Sequence, residues 1–228
     1  MNPDLKILLT EDGSHTLFST LFNSSYHSMH GAIQESAHIF IKEGLTYLSE
    51  ISDNTIINIL ETGFGTGLNA FLSLQWALHN KKIIHYTGLE KYPVKIEMAD
   101  QLNYPDLVSN GELSMAFKDL HHSNWGEEIQ ISPSFALHKI KIDLNDFDVT
   151  VPHFDLIYLD IFDPGVQAEF WEEAFLNKLY SVLNKNGVLI TYGAKGSFKR
   201  ALKHVGFEIQ ERPGPPGKRE ITRAIKSV

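Results

Sequence analysis

The segment Ile56-Ile57-Asn58-Ile59-Leu60-Glu61-Thr62-Gly63-Phe64-Gly65-Thr66-Gly67-Leu68-Asn69 joins an apolar run to a glycine-rich turn and then to a helical pattern. Ile56–Glu61 reads as a buried strand that ends in an acid. Glycines at 63, 65 and 67 permit a tight turn and close approach of a ligand to the backbone. Leu68, Phe71, Leu72, Leu74, Gln75 and Leu78 then place a helix over Gly67–His79, whose first amides face the turn.

The same strand-then-helix unit recurs downstream. Ile83–Glu90 is a second strand, followed by a helix over Val94–Leu102. Phe135–Asp143 is a third strand, and Phe154–Asp160 a fourth with the helix Phe170–Leu183. Gly187–Tyr192 is a fifth strand, followed by the helix Phe198–Val205. Phe207–Arg212 and Glu220–Lys226 flank Pro213-Gly214-Pro215-Pro216-Gly217, which suits the turn of a closing hairpin. Alternating strands and helices predict an α/β, doubly wound, mostly parallel sheet, here of seven strands with a C-terminal β-hairpin. Upstream, Lys6–Thr10 and His15–Ser19 are short β-like pieces. Ile33, Ala37, Phe40, Ile41, Leu45 and Leu48 mark an amphipathic helix over residues 30–50. One domain is therefore expected over 1–228, with 1–50 as an N-terminal elaboration and 51–228 as the core.

The 228 residues include no cysteine, which excludes disulfides, thiolate metal sites and cysteine nucleophiles. No apolar stretch approaches the roughly 18–20 residues of a membrane span. Met1-Asn2-Pro3-Asp4-Leu5-Lys6 lacks the pattern of a signal peptide, so a cytoplasmic protein is expected. His27 and His30 have no third ligand in a metal-binding pattern, and no metal is expected. The net charge of -8 argues against a general nucleic-acid coat. Residues 195–228, however, hold nine Lys/Arg against three acids. That segment carries +6 and leaves -14 for the remainder. It is either a phosphate-binding face or a solvated surface.

Ligands of doubly wound sheets bind beyond the carboxyl ends of the strands, and four of these ends carry acids: Glu61, Glu90, Asp143 and Asp160. The glycine turn is not a dinucleotide fingerprint, because the third glycine would fall at Leu68, and no Gly-Lys-Ser/Thr makes it a phosphate loop. G-x-G-x-G behind an acid resembles the first motif of the methyltransferases, which implies S-adenosyl-L-methionine as cofactor. On that reading Glu61, Gly63, Gly65, Gly67 and Asn69 form the cofactor turn. Glu90, with Lys91 beside it, accepts from two ribose hydroxyls or is a solvated strand-end acid. Asp143 accepts from the adenine amine with Leu144 on the ring face, or caps a helix. Asp160 orients an amine acceptor and takes its proton, or only caps the next segment or orders the cofactor's methionine end. Phe162 and Trp171 wall an acceptor base or belong to the core.

Beyond these motifs, the chain resembles the methyltransferase domain of the bifunctional tRNA 5-methylaminomethyl-2-thiouridine biosynthesis enzymes (MnmC-like) over roughly 26–226. The resemblance lies in Tyr26-His27-Ser28-Met29-His30-Gly31-Ala32-Ile33-Gln34-Glu35-Ser36, in Glu61–Asn69, in Leu159–Pro164 followed by Trp171, and in Gly214–Glu220 with its Lys218-Arg219-Glu220. It implies N-methylation of 5-aminomethyl-(2-thio)uridine at the tRNA wobble position, with Lys195, Lys199, Arg200, Lys218 and Arg219 on anticodon-arm phosphates. Gly165-Val166-Gln167-Ala168-Glu169-Phe170 departs from the family's Asn-Pro pair. These residues carry no counterpart of the flavin-dependent oxidase part, so removal of a carboxymethyl group is expected to fall to another protein, or the aminomethyl substrate to arrive by another route. The competing readings are a small-molecule methyltransferase, a non-catalytic RNA-binding protein of the same fold and, more remotely, an aminopropyltransferase. Residues 103–133, rich in Asn, Gly, Ser and Pro, suit a lid over the cofactor.

Overall fold

The computed structural model describes residues 4–147, 150 and 153–227; the Met1–Pro3 start used above against a signal peptide lies outside them. A small antiparallel sheet comes first: β1 (Leu5–Leu9), β2 (His15–Ser19) and β3 (Ser24–Ser25). A continuous helical segment follows as α1 (Ala32–Ser36), a π-helical stretch Ala37–Thr46, and α2 (Tyr47–Ile51). The expected helix over 30–50 is thus present, with a widened middle.

The core then runs β4 (Ile56–Thr62), α3 (Leu68–Asn80), β5 (Ile83–Glu90), α4 (Ile96–Ala99), α5 (Tyr104–Ser109), α6 (Ser114–His122), β6 (Glu128–Ser132) and β7 (Phe135–Lys141). It continues through β8 (Phe154–Leu159), α7 (Glu173–Val182), β9 (Leu183–Thr191), α8 (Gly196–Val205), β10 (Glu208–Pro213) and β11 (Glu220–Ile225). The strand order is β10-β11-β9-β8-β4-β5-β7-β6. β4 pairs in parallel with both β5 and β8, and the last two strands form the antiparallel hairpin.

The main sheet has eight strands, not the seven expected. The extra strand is β6, which pairs antiparallel with β7 and closes that edge. The expected helix over Val94–Leu102 shortens to Ile96–Ala99. Lys95 is extended, with ψ of 141°, and serves as the N-cap, so the helix begins only at Ile96.

Side chains alternate across the sheet as the pleat requires. Ile57, Ile59, Leu156, Tyr158, Val188 and Ile190 face α3 and the long N-terminal helix, in one core with Phe40, Phe71 and Leu74. Leu60, Ile157, Leu159 and Leu189 face the other way, against Leu176, Leu179, Phe198 and Leu202 of α7 and α8. Glu61 shares the parity of Ile57 and Ile59. It therefore lies on the α3 side, under the first turn of that helix.

The chain builds outward from β4 through β5 to β7, then crosses back to β8. The strand order therefore reverses between β4 and β8, and the crevice of such a sheet opens at that reversal.

Candidate active site

A cavity of about 350 Å³ opens at the carboxyl ends of β4, β5 and β8. Its floor is the glycine turn. Gly63 and Gly65 have φ of +89° and +50°, a region that side chains with a Cβ rarely enter. A Cβ on Gly63 would stand 2.4 Å from the Asp160 carbonyl oxygen, so only glycine lets the turn cross the end of β8. Gly67 caps α3 instead of lining the cavity. Its missing side chain leaves room for His121 of α6, whose ring donates to the Thr66 carbonyl at 3.0 Å.

Asn69 links the two central acids. Its Nδ2 carries two N–H groups; one donates to Glu61 Oε1 and the other to Asp160 Oδ2, each at 2.8 Å. Burial, followed by the charge of Asp160, raises the Glu61 carboxyl well above its ordinary range. Burial and the Glu35 carboxylate push Asp160 up to about 7, against the lowering effects of Asn69 and Lys218. Glu61 Oε2 and Asn69 Oδ1 are buried acceptors with no hydrogen-bond partner among the described residues.

Glu90 receives the backbone. Its Oε2 accepts from Gly65 N at 2.9 Å and its Oε1 from Tyr92 N at 2.7 Å, which fixes the carboxylate at the cavity wall. Lys91 and Leu144 also line the cavity. Asp143 does not. One of its oxygens pairs with Lys91, and the other accepts from Asn145 N at 3.0 Å, so the capping alternative is the one displayed.

Asp160 and Phe162 line the opposite wall. Phe162 stacks against Phe22 at 4.6 Å and Tyr26 at 5.2 Å between ring centroids. Trp171 is buried in the core, donating from Nε1 to the Phe162 carbonyl at 2.9 Å. Its role is to hold the loop that carries Phe162.

The expected basic residues divide. Lys218 enters the cavity, 3.4 Å from Glu35 Oε1. Lys199 is turned inward onto Glu211 and Glu220, each at 2.8 Å. Arg200, Lys195 and Arg219 are exposed, Lys195 beside Asp163.

Sequence reasoning marked Tyr26–Ser36 as part of the resemblance but gave it no role in the site, and so missed the roof. Phe22, Tyr26, Ser28 and Glu35 of the N-terminal segment, with Tyr192 after β9, complete the lining. Residues 103–133, whose composition left a lid open, contribute no lining residue; they form α5, α6 and β6. The N-terminal segment is clasped to the hairpin. His38 meets the Pro213 carbonyl at 2.8 Å, and Gly217, at φ +83°, passes so close to His30 that a Cβ would overlap its ring.

A mostly parallel sheet with a glycine-turn cavity at its reversal point defines an α/β protein whose ligand site lies at the carboxyl ends of the strands. The chain belongs to a family of S-adenosyl-L-methionine-dependent methyltransferases, whose family model matches residues 112–227. The chain is similar to tRNA 5-methylaminomethyl-2-thiouridine biosynthesis bifunctional proteins MnmC. With that of Hydrogenovibrio crunogenus it shares 30% identity over 95% of this chain and 33% of the relative. With that of Cupriavidus metallidurans it shares 29%, over 95% and 33%. The chain thus spans about a third of the length of these curated relatives. Among solved structures, MnmC2 from Aquifex aeolicus superposes with a TM-score of 0.76 at 23% identity, over 97% of this chain and 70% of the other. Spermidine synthase from Thermotoga maritima shares the fold with a TM-score of 0.62 at 15% identity, over 98% and 69%.

The chain is a methyltransferase that uses S-adenosyl-L-methionine. The cavity fits that cofactor. Its two unpartnered acceptors, Glu61 Oε2 and Asn69 Oδ1, suit an ammonium donor such as the methionine end carries. Among the described residues, no helix is long and apolar enough to cross a membrane.

Proposed function

We propose that this chain methylates the aminomethyl nitrogen of 5-aminomethyl-(2-thio)uridine at the wobble position of tRNA. The observation that carries this reading is convergence. Tyr26, Ser28 and Glu35, the turn Glu61–Asn69, Asp160 to Asp163, and Lys218 stand far apart in sequence and line one cavity. These are the segments that resemble the tRNA-modifying relatives.

In this reading Glu61 and Asn69 hold the cofactor's amino-acid end. The backbone of Gly63 and Gly65 approaches it closely, with Gly67 opening the helix behind them. Glu90 receives the ribose hydroxyls. Lys91 and Leu144 flank the adenine, and Asp143 acts by fixing Lys91. When bound, S-adenosyl-L-methionine supplies a methyl carbon made electrophilic by its sulfonium. The acceptor arrives largely as an ammonium, since alkyl amines titrate near pH 10. An ammonium has no lone pair, so the nitrogen must lose a proton before the new C–N bond can form, and the electron pair of the broken methyl–sulfur bond would stay on sulfur. Asp160 takes that proton and is the catalytic residue. Its raised carboxyl still ionises near neutral pH, which suits a general base.

Phe162, backed by Phe22 and Tyr26, offers an aromatic wall to a base splayed from the anticodon loop. Lys195, Arg200 and Arg219 face the flanking phosphates. Lys199 ties α8, which carries Lys195 and Arg200, to the hairpin that carries Arg219. Residues 1–228 act as one methyltransferase domain, with 1–50 as cover and 51–228 as catalytic core. A tRNA substrate fits a cytoplasmic location.

The test is transfer of labelled methyl to bulk tRNA from a strain lacking this protein, with nucleosides resolved by mass spectrometry. A methylaminomethyl-uridine species is expected, and it disappears with Asp160→Ala. Cofactor binding with no product in any tRNA would overturn the reading.

A further inference from the structure

Lys218 places a primary ammonium inside the cavity. It sits 3.4 Å from Glu35 Oε1 and 4.7 Å above the ring of Tyr192. Both partners are fixed. Glu35 Oε2 accepts from Ser28 N at 2.8 Å, and its side chain is only 10% exposed. The Tyr192 hydroxyl donates to the Ile161 carbonyl at 2.6 Å, and its ring rests edge-on against Trp171. The lysine is the movable member. Its backbone is pinned by the turn, Lys218 N donating to the Pro215 carbonyl at 2.9 Å, while four methylenes carry the head group.

We propose that Glu35 and the face of Tyr192 form a subsite for a primary alkylammonium ion, and that Lys218 is its internal occupant until the acceptor enters. The inference rests on the reading of this cavity as the acceptor site. A lysine terminus and an aminomethyl group are the same ion, three N–H donors on a methylene, so the subsite that holds one holds the other. A carboxylate and an aromatic face together select a cation over a neutral isostere.

The displaced lysine has a place to go. The cavity shares Asp163, Tyr192 and Lys218 with a neighbouring cleft that also contains Lys195 and Arg219. Because Lys218 lines both, displacement from Glu35 would leave its ammonium at that cleft, whose lining holds Asp163 and Glu220 as well as the two cations. Acceptor binding thereby exchanges one ammonium for another on Glu35 and adds a cation to the phosphate-facing surface. The field is shared across the group: Glu35 raises the Asp160 carboxyl and Lys218 lowers it.

The probe is n-butylammonium, with n-butanol as neutral control, followed by chemical-shift titration of the full chain loaded with S-adenosyl-L-homocysteine. Butylammonium is expected to bind and butanol not. Glu35→Gln retains an oxygen for Ser28 N, and its affinity for S-adenosyl-L-homocysteine is the folding control. This variant is expected to lose butylammonium binding and to raise the KM for tRNA by roughly 10- to 100-fold, with that for cofactor unchanged. Lys218→Met removes the internal competitor and is expected to tighten butylammonium binding several-fold. Equal binding of butanol, weaker binding in Lys218→Met, or an unchanged acceptor KM in folded Glu35→Gln would overturn the subsite. Glu35-dependent butylammonium binding by an enzyme that leaves tRNA unmethylated would sustain the subsite and sink the tRNA reading.

Discussion

Replacing Asn69 by leucine keeps the branched outline of the side chain, raises the helix propensity of the first turn of α3, and removes both N–H donors at once. In the wild type those donors reach Glu61 and Asp160 at 2.8 Å. A hydrogen bond to an ionised acceptor contributes about 1.5–3 kcal/mol, and about 1.4 kcal/mol corresponds to one pH unit. The bond to Asp160 favours its charged form, so removing it raises the carboxyl further from about 7. The acid limb of the rate profile is expected to move up by roughly one to two pH units. The sign follows from the role: Asp160 accepts a proton only when ionised, so activity rises with pH through its pKa. Initial rates of methyl transfer between pH 5.5 and 9.5 (an assay range), at saturating cofactor, read the shift. A limb that stays in place while the rate falls uniformly would refute the assignment of that limb to Asp160.

Glu61→Gln separates stability from function. A carboxyl raised in the folded state is a stability loss that grows as pH climbs above its unfolded value, about 4. The variant is therefore expected to be more stable than wild type at pH 8 in urea melts, with the difference vanishing toward pH 4, while cofactor affinity falls. Gly63→Ala must hold a positive φ and push against the Asp160 carbonyl. A stability loss of about 2–3 kcal/mol is expected from the left-handed backbone and a weakened hydrogen bond from Gly63 N to the Leu89 carbonyl, 2.9 Å in the wild type. A value near zero in a urea melt would count against the close crossing. Arg219→Ala is expected to reduce the salt dependence of tRNA binding by about one phosphate contact. Lys199→Ala, paired internally with Glu211 and Glu220, should leave the salt slope in place.

The parallel core was legible because four of its five strands run apolar into an acid at the carboxyl end. Glu61, Glu90 and Asp160 could be placed at one edge from that pattern alone. Asp143 stands two residues beyond β7, where a turn with Asn145 and Lys91 engages its oxygens, and no periodicity reports such local pairing. β6 carried a signal that went unread: Ile129 and Ile131 alternate before Ser132-Pro133-Ser134. The roof was the least legible part. Tyr26, Ser28 and Glu35 belong to no strand–helix unit, and Glu35 meets Lys218 only because the hairpin folds back over the N-terminal segment. Charge counting offered residues 195–228 as a phosphate-binding face or a solvated surface, yet Lys199, Lys218 and Arg223 point inward onto carboxylates. A count of charges does not distinguish a cation facing water from one neutralised within the fold.

The most direct measurement is a crystal structure of the full chain with S-adenosyl-L-homocysteine. The expected result places its amino group on Glu61 and Asn69, its ribose on Glu90, and its sulfur facing Asp160 and Phe162. A ligand lodged elsewhere, such as the cleft beside Trp171 and Phe198, would contradict the assignment of the cavity.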